Sequence, residues 1–239
     1  AAYHLAGERR SSEVVTAKVT PDGNWDEVVR LVAGHHVFVN KRTRDALDLV
    51  EELCAAAKAP ACGGVSDVEW RRVALAADIL HEMGPERWER ERRQGPACRD
   101  LVRDLLVRLL GQGVLPARDR ARAGAILGHL GDPRPGVGLA RDGLPDMDWV
   151  ELPKGEFKLK RTGTPAEVQR FKLSRYPVTV AQYQAFVEDQ GYAQEPFWNW
   201  LPAMHAWWKE NHDQGPEDYE PVFQTPNHPR VGVCWFEAA

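Results

Sequence analysis

The sequence predicts an α+β chain in which an all-α helical bundle precedes a domain built on a small antiparallel sheet. Three observations carry that expectation. Apolar residues recur at helical spacing through most of the chain up to Leu130. A proline- and glycine-rich stretch follows, Pro133-Arg134-Pro135-Gly136-Val137-Gly138 and then Asp142-Gly143-Leu144-Pro145, and the helical period is lost after it. From Trp149 the runs become short, alternating and bounded by turn residues, as strands are. The boundary falls in that stretch, giving a helical domain over residues 1–140 and a second domain over 146–239.

The elements follow in order. Over 42–57 the apolar positions Leu47, Val50, Leu53, Cys54 and Ala57 form one helical stripe, broken by Pro60 and Gly63-Gly64. Ser66 three residues before Glu69 is a capping-box pattern, in which each side chain satisfies a free backbone N–H. The helix it opens carries Trp70, Val73, Ala77, Leu80 and Met83 and ends at Gly84-Pro85. A third stripe, Cys98, Leu101, Val102, Leu105, Leu106 and Leu109, stops at Gly111, and a fourth helix runs from Pro116 through Ala121, Ala125, Ile126 and Leu130 to Gly131-Asp132-Pro133. Strands are expected at Trp149-Val150-Glu151-Leu152, at Glu156-Phe157-Lys158-Leu159 after a Pro153-Lys154-Gly155 turn, and over 168–173. One helix then starts at Thr179 as N-cap, buries Tyr183, Phe186 and Val187, and stops at Gly191. A long aromatic, proline-rich segment follows.

Composition removes several function classes. With 43% hydrophobic residues, 28% charged residues and nine tryptophans the chain can bury a sizeable core. The net charge is −4, divided as 21 basic against 20 acidic residues up to Ala140 and 10 against 15 beyond it. The arginines are interleaved with acids, the pattern of a solvated helix face, so neither part reads as a nucleic-acid binder. No apolar run reaches membrane-spanning length and residues 1–10 lack the pattern of a secretion signal, which points to the cytoplasm. The expected partner is a protein or small-molecule ligand, with no nucleic acid and no membrane. Cys54, Cys62, Cys98 and Cys234 are scattered without a C-x-x-C pair and are expected to be buried free thiols.

Few residues suggest chemistry. His35-His36 would point to opposite faces of a strand, with no second cluster to complete a metal site, so a surface or capping role is expected. His81-Glu82 fails as part of a zinc-protease helix because position 85 is proline where the second histidine belongs. The richest segment is 197–208, where Trp198, Trp200, Trp207 and Trp208 accompany His205 between acids that include Glu188, Glu195, Glu210 and Asp213. Tryptophan suits both a core and a binding surface, so two readings stand: anchors of an irregular segment, or a ligand-contacting face that would prefer cations. Trp198, Trp200, His205, Trp207 and Trp208 are the candidate ligand-binding residues; no catalytic or metal-ligating residue is assigned.

Three stretches carry a resemblance. Trp149-Val150-Glu151-Leu152-Pro153-Lys154-Gly155-Glu156-Phe157, Phe171-Lys172-Leu173-Ser174-Arg175-Tyr176-Pro177-Val178-Thr179 with Gln182-Tyr183, Phe186-Val187 and Gly191-Tyr192, and His228-Pro229-Arg230-Val231-Gly232-Val233-Cys234-Trp235-Phe236-Glu237-Ala238 resemble, in order, the opening half of a formylglycine-generating-enzyme/sulfatase-modifying-factor domain. That family shares a C-type-lectin-like α+β core with the variable proteins of diversity-generating retroelements. The sequence departs from the pattern at Lys158 to Arg161, where a Met-Gly pair is usual, at Pro177, where an acid is common, and at Cys234, where a serine is usual. The resemblance implies a domain incomplete at its carboxyl end. It implies no cofactor held by this chain, with calcium or copper entering only through a carboxyl-terminal half. Ala1-Ala2-Tyr3-His4-Leu5-Ala6, Ala76-Ala77-Asp78-Ile79-Leu80-His81-Glu82-Met83-Gly84 and Arg118-Asp119-Arg120-Ala121-Arg122-Ala123-Gly124 resemble the helical tail of NACHT-type NTPases, which implies an NTPase domain or chain as partner. No G-x-x-x-x-G-K-[ST] phosphate loop occurs in the sequence. The function expected is a ligand-recognition module on a C-type-lectin-like scaffold, as a retroelement variable protein or the sensor part of a NACHT-type system. The alternative is a formylglycine-generating or related metal-dependent oxidase acting on cysteine or a thiol.

Overall fold

A computed structural model describes residues 2–5, 11–20, 24–59, 64–158, 160, 163–212, 215–217 and 219–238. The breaker at Pro60 and Gly63, the thiol of Cys62, the ends of the opening alanine run, Leu159 and Asp213 lie outside them. The chain divides into two units, Ala1–Asp132 and Pro133–Ala239.

The first unit is helical: α1 Ala2–Leu5, α2 Ser11–Ala17, α3 Asp26–Gly34, α4 Thr43–Lys58, α5 Asp67–Met83, α6 Pro85–Trp88, α7 Gln94–Gln112 and α8 Ala117–His129. Both halves of the capping box form at the start of α5, the Glu69 amide donating to Ser66 Oγ and the Ser66 amide to Glu69 Oε2 at 2.6 Å. The stripe Trp70, Val73, Ala77, Leu80 and Met83 is buried as its spacing requires. Burial also takes in Leu75, Ala76, Asp78 and Ile79, because α5 packs against α3, α4, α7 and α8 and so has neighbours on most of its surface. Each leucine sealed here, such as Leu47, Leu80 or Leu106, contributes about 1.5–3 kcal/mol of burial free energy.

Two expectations for this unit are corrected. Helix α7 passes through Gly111 and ends at Gly113, whose φ of +66° is the left-handed conformation that glycine reaches without a steric penalty. Gly111 merely sits on the helix. His35 and His36 are not on a strand: they open a single π-helical turn, His35–Val39, at the end of α3, with the Asn40 amide donating to the His35 carbonyl. His36 is accordingly buried, with Nδ1 at 3.6 Å from Asp45 Oδ2, rather than on the surface, and desolvation pushes its pKa down.

The second unit opens with strands β1 Trp149–Leu152, β2 Gly155–Lys158, β3 Pro165–Val168 and β4 Phe171–Ser174, the last two standing where the sequence predicts a single strand over 168–173. β1 pairs antiparallel with β4 and β2 with β3. Val150 faces Leu173 and Leu152 faces Phe171, then Gly155 faces Val168 and Phe157 faces Ala166, so both pairs keep one register. The four strands are therefore one long hairpin ribbon, interrupted where Pro153-Lys154 passes Gln169-Arg170. Pro153 has no N–H to give the ladder, which accounts for the gap.

Beyond the ribbon come α9 Val180–Glu188, α10 Pro202–Asn211 and α11 Trp235–Ala238, with short 3₁₀ turns at Gly191–Ala193, Glu195–Trp198 and Pro221–Phe223. Thr179 caps α9 as its sequence suggests, and Gln182 completes a second capping box. The stop is Gln190, at φ +57°, and not Gly191. Gly191 matters for a different reason: a Cβ there would lie 2.1 Å from a ring carbon of Phe186. The proline- and glycine-rich stretch enters this unit's interior bonding, since Thr179 Oγ1 donates to the Val137 carbonyl and Gln182 Nε2 to the carbonyls of Gly136 and Asp146, at 3.0, 3.2 and 2.6 Å. Among the described residues no helix is long and apolar enough to cross a membrane.

Candidate functional site

The aromatic segment folds onto α9. Tyr183 and Phe186, one helical turn apart, present their rings to the 3₁₀ turns that follow, and Gly191 lets the chain pass against Phe186. Tyr192, Trp198 and Met204 complete a small buried cluster with Tyr183. The tryptophan N–H groups, which must be satisfied when buried, find backbone carbonyls: Trp198 Nε1 donates to Gly191 at 3.0 Å and Trp208 Nε1 to Tyr192 at 2.6 Å. These two bonds fix the irregular segment that lacks a regular ladder of its own.

Helix α11 closes the cluster. Glu237, in its first turn, reaches back so that Oε2 accepts the Cys234 amide at 2.6 Å, while Oε1 accepts the Tyr192 hydroxyl at 2.5 Å. Tyr192 in turn lies 2.9 Å from the Tyr183 hydroxyl. Burial pushes both phenols up, with the Glu237 carboxylate adding to the effect at Tyr192, so both remain protonated donors at neutral pH. Between Tyr183, Phe186, Phe197, Trp198, Trp200 and Phe236 lies a cleft of about 260 Å³, with Glu237 and Ala238 at one end. Rings supply its walls and one carboxylate supplies its charge.

The five sequence candidates divide. Trp198 is 3% exposed and anchors the core; Trp200 is 70% exposed at the rim of the cleft. These two line it together. Trp207 packs between Trp198 and Phe236, with ring centroids at 5.5 and 6.0 Å, and faces a second cleft beside Cys234. His205 and Trp208 stack at 5.7 Å on α10, and His205 Nε2 is 2.8 Å from Glu195, which places them outside the aromatic cleft. The sequence reading missed Tyr183 and Phe186 as cleft residues, having read them as core by spacing, and missed Phe236 and Glu237. Glu237 had a usable signal: it stands three residues after Cys234, the spacing at which an N3 acid reaches back to the chain before a helix.

Cys234 is exposed, contrary to the buried thiol expected, because it precedes α11 at the edge of the second cleft. Its pKa is nonetheless raised, first by desolvation from its neighbours and then by the Glu237 carboxylate. Cys54 and Cys98 are buried as expected. Among the described residues no three His, Cys, Asp or Glu side chains converge where they could hold a metal ion. Residues 140–239 contain Cys234 as their one cysteine.

Comparison with known proteins gives a match to the second unit. Residues 140–239 fit the family model of the sulfatase-modifying factor enzyme 1-like domain. No curated protein and no solved structure matches the chain. The chain thus joins a helical region to a domain of the sulfatase-modifying-factor type.

Proposed function

We propose that the sulfatase-modifying-factor-type domain of this chain is a recognition module on a C-type-lectin-like scaffold, and that the helical unit is the adaptor that carries it. The aromatic cleft is the observation that carries this reading. Two of its rings are held in place, Trp198 by donating to the Gly191 carbonyl and Tyr183 through the Tyr192 hydroxyl, which itself donates to Glu237, so those two lose little side-chain entropy when a ligand enters. At about 260 Å³ it falls below the roughly 300–1,000 Å³ of sites for drug-sized ligands, which favours a small head group or a single side chain of a protein partner. In a NACHT-type arrangement the helices would relay that binding to an ATPase; in a retroelement variable protein the same scaffold would present varied loops.

The family match itself favours a second reading, a metal-dependent oxidase acting on cysteine or a thiol. Recognition is preferred because it draws only on the cleft residues already described. A fragment screen by ligand-observed NMR on the full chain and on Trp200→Ala tests the proposal. Hits that bind the parent and vanish in the variant, with an unchanged circular dichroism spectrum, support recognition at the cleft. Hits indifferent to the substitution remove it, and aldehyde formation on a cysteine peptide with copper and oxygen would install the oxidase.

A further inference from the structure

The aromatic cleft of the second unit has a composition that narrows what it can hold. Six rings form its walls, those of Tyr183, Phe186, Phe197, Trp198, Trp200 and Phe236, around about 260 Å³. They are not stacked in parallel. Phe186 is inclined to Tyr183 by 57°, to Phe197 by 44° and to Trp198 by 52°, with centroids 5.7, 6.0 and 6.3 Å apart. Rings set at such angles make a concave wall of faces and edges, and an aromatic face carries the negative part of the ring quadrupole.

The polar groups of the wall are engaged with neutral partners. Trp198 Nε1 donates to the Gly191 carbonyl, and the Tyr183 hydroxyl meets the Tyr192 hydroxyl and the Glu237 carbonyl. Each oxygen of the Glu237 carboxylate accepts one hydrogen bond, from Tyr192 and from the Cys234 amide. Neither donor is charged, so the negative charge is solvated but not cancelled. Arg230 is the cation that approaches: its guanidinium lies 5.8 Å from the Tyr183 ring centroid, and Nη2 donates to the Glu217 carbonyl rather than to Glu237. At the Tyr183 hydroxyl the field of Glu237 exceeds that of Arg230. The wider surroundings agree in sign, with 15 acidic against 10 basic residues beyond Ala140.

Four ligand classes can be weighed against that wall. An anion meets a negative field. A primary ammonium brings three N–H donors and a guanidinium five, which must give up water to enter, and the wall offers them one carboxylate whose oxygens already accept. A neutral apolar group satisfies the rings but makes no use of the charge. A quaternary ammonium has no N–H to satisfy, covers its charge with methyl groups that pack on rings, and is attracted by ring faces and, through space, by Glu237. We propose that the cleft binds a trimethylammonium head group, with Trp200 as its outer wall and Glu237 as its counter-charge. This inference rests on the recognition reading and names the ligand class for it. The volume suits a head group whose bearer stays outside the cleft.

Isothermal titration calorimetry of the full chain with three matched probes tests this. Choline carries the head group; its carbon isostere replaces the trimethylammonium by an uncharged tert-butyl group; ethanolamine keeps the charge but restores the N–H donors. Choline is expected to bind saturably, and each of the other two about tenfold or more weakly. Trp200→Ala, at a position 70% exposed, is expected to weaken choline about tenfold with an unchanged circular dichroism spectrum. Glu237→Gln is expected to narrow the preference for choline over its isostere by about threefold or more. A cleft merely loosened by that change would leave the ratio alone, because the two probes share one shape. Equal binding of choline and its isostere, or of choline and ethanolamine, overturns the proposal while leaving recognition at the cleft intact. No binding of choline, or binding indifferent to Trp200→Ala, overturns it as well, and the fragment screen then decides separately whether the cleft is a recognition site.

Discussion

Replacing Asp78 by alanine removes the carboxylate that joins α3 and α8 to α5, and its cost can be worked from the geometry. The side chain is 9% exposed and takes two charge-assisted bonds, a short one from Arg122 and a longer one from Arg30. A hydrogen bond to a charged group is worth about 1.5–3 kcal/mol, and the 3.3 Å contact belongs at or below the lower end. Truncating one partner of a fully buried pair costs roughly 3–5 kcal/mol because the other charge is stranded. Here the arginine side chains are 25% and 54% exposed and can turn towards water, so that figure must be discounted. The expected loss for Asp78→Ala is about 2–3 kcal/mol, and about half as much for Asp78→Asn, which keeps an acceptor but not the charge. Urea unfolding followed by the helical circular dichroism signal measures it directly. Thermal unfolding should fall by roughly 3 °C for each kcal/mol in a unit of this size. A loss under about 0.5 kcal/mol for both variants would refute the reasoning, since it would mean that Asp78 behaves as an ordinary surface residue.

Other outcomes follow from the same structure. Trp198→Ala empties the core of the second unit and should cost about 3–5 kcal/mol, whereas Trp200→Ala should stay within about 0.5 kcal/mol; equal losses in denaturant titration would contradict their assigned places. Because the folded pKa of His36 lies below its unfolded value, the unfolded chain binds the proton more readily, so stability is retained above about pH 6.5 and declines as pH falls below it. His36→Gln should flatten that slope in unfolding midpoints taken between about pH 6.5 and 5, and an unchanged slope would exclude His36 as its source. Iodoacetamide labelling at about pH 8, mapped by mass spectrometry, should find Cys234 accessible but slower than a free model thiol. Cys54, whose pKa burial pushes up to about 12, and Cys98 should react only after unfolding, and fast native labelling of either would contradict their burial.

The helices were legible because their signals are local. The stripe of α5 and its Ser66-Glu69 box, or the Thr179 start of α9, need only neighbours within a turn or two to be interpreted. What failed was punctuation whose meaning depends on backbone conformation. Gly111 and Gly191 look like helix stops, yet the left-handed positions belong to Gly113 and Gln190. Helix α10 was hidden by its own aromatics, although Pro202 at its first turn was a start signal of the kind used elsewhere in the chain. The π turn at His35 has no sequence signature at all, and the ribbon was legible only as separate strands because register is a property of two segments rather than one.

The site was half legible for a related reason. Tryptophan density pointed to the segment over 197–208, but density cannot say which ring is anchored and which is offered; the carbonyl accepting each indole N–H decides that, and it lies up to sixteen residues away. Gln182 makes the same point for the fold. As a sequence symbol it is a polar residue inside a helix, expected to face water, yet it is buried, with its amide satisfied by Thr179, Gly136 and Asp146. Those last two carbonyls belong to the stretch whose composition reads as a linker, and a buried carbonyl without a donor would be costly. Gln182→Leu keeps the volume and removes every one of those bonds, so it should destabilise the second unit by about 2 kcal/mol or more, whereas at an exposed helix position the same change stays within about 0.5 kcal/mol. The size of that single loss, taken by denaturant unfolding, separates a loop that is part of the domain from one that merely precedes it.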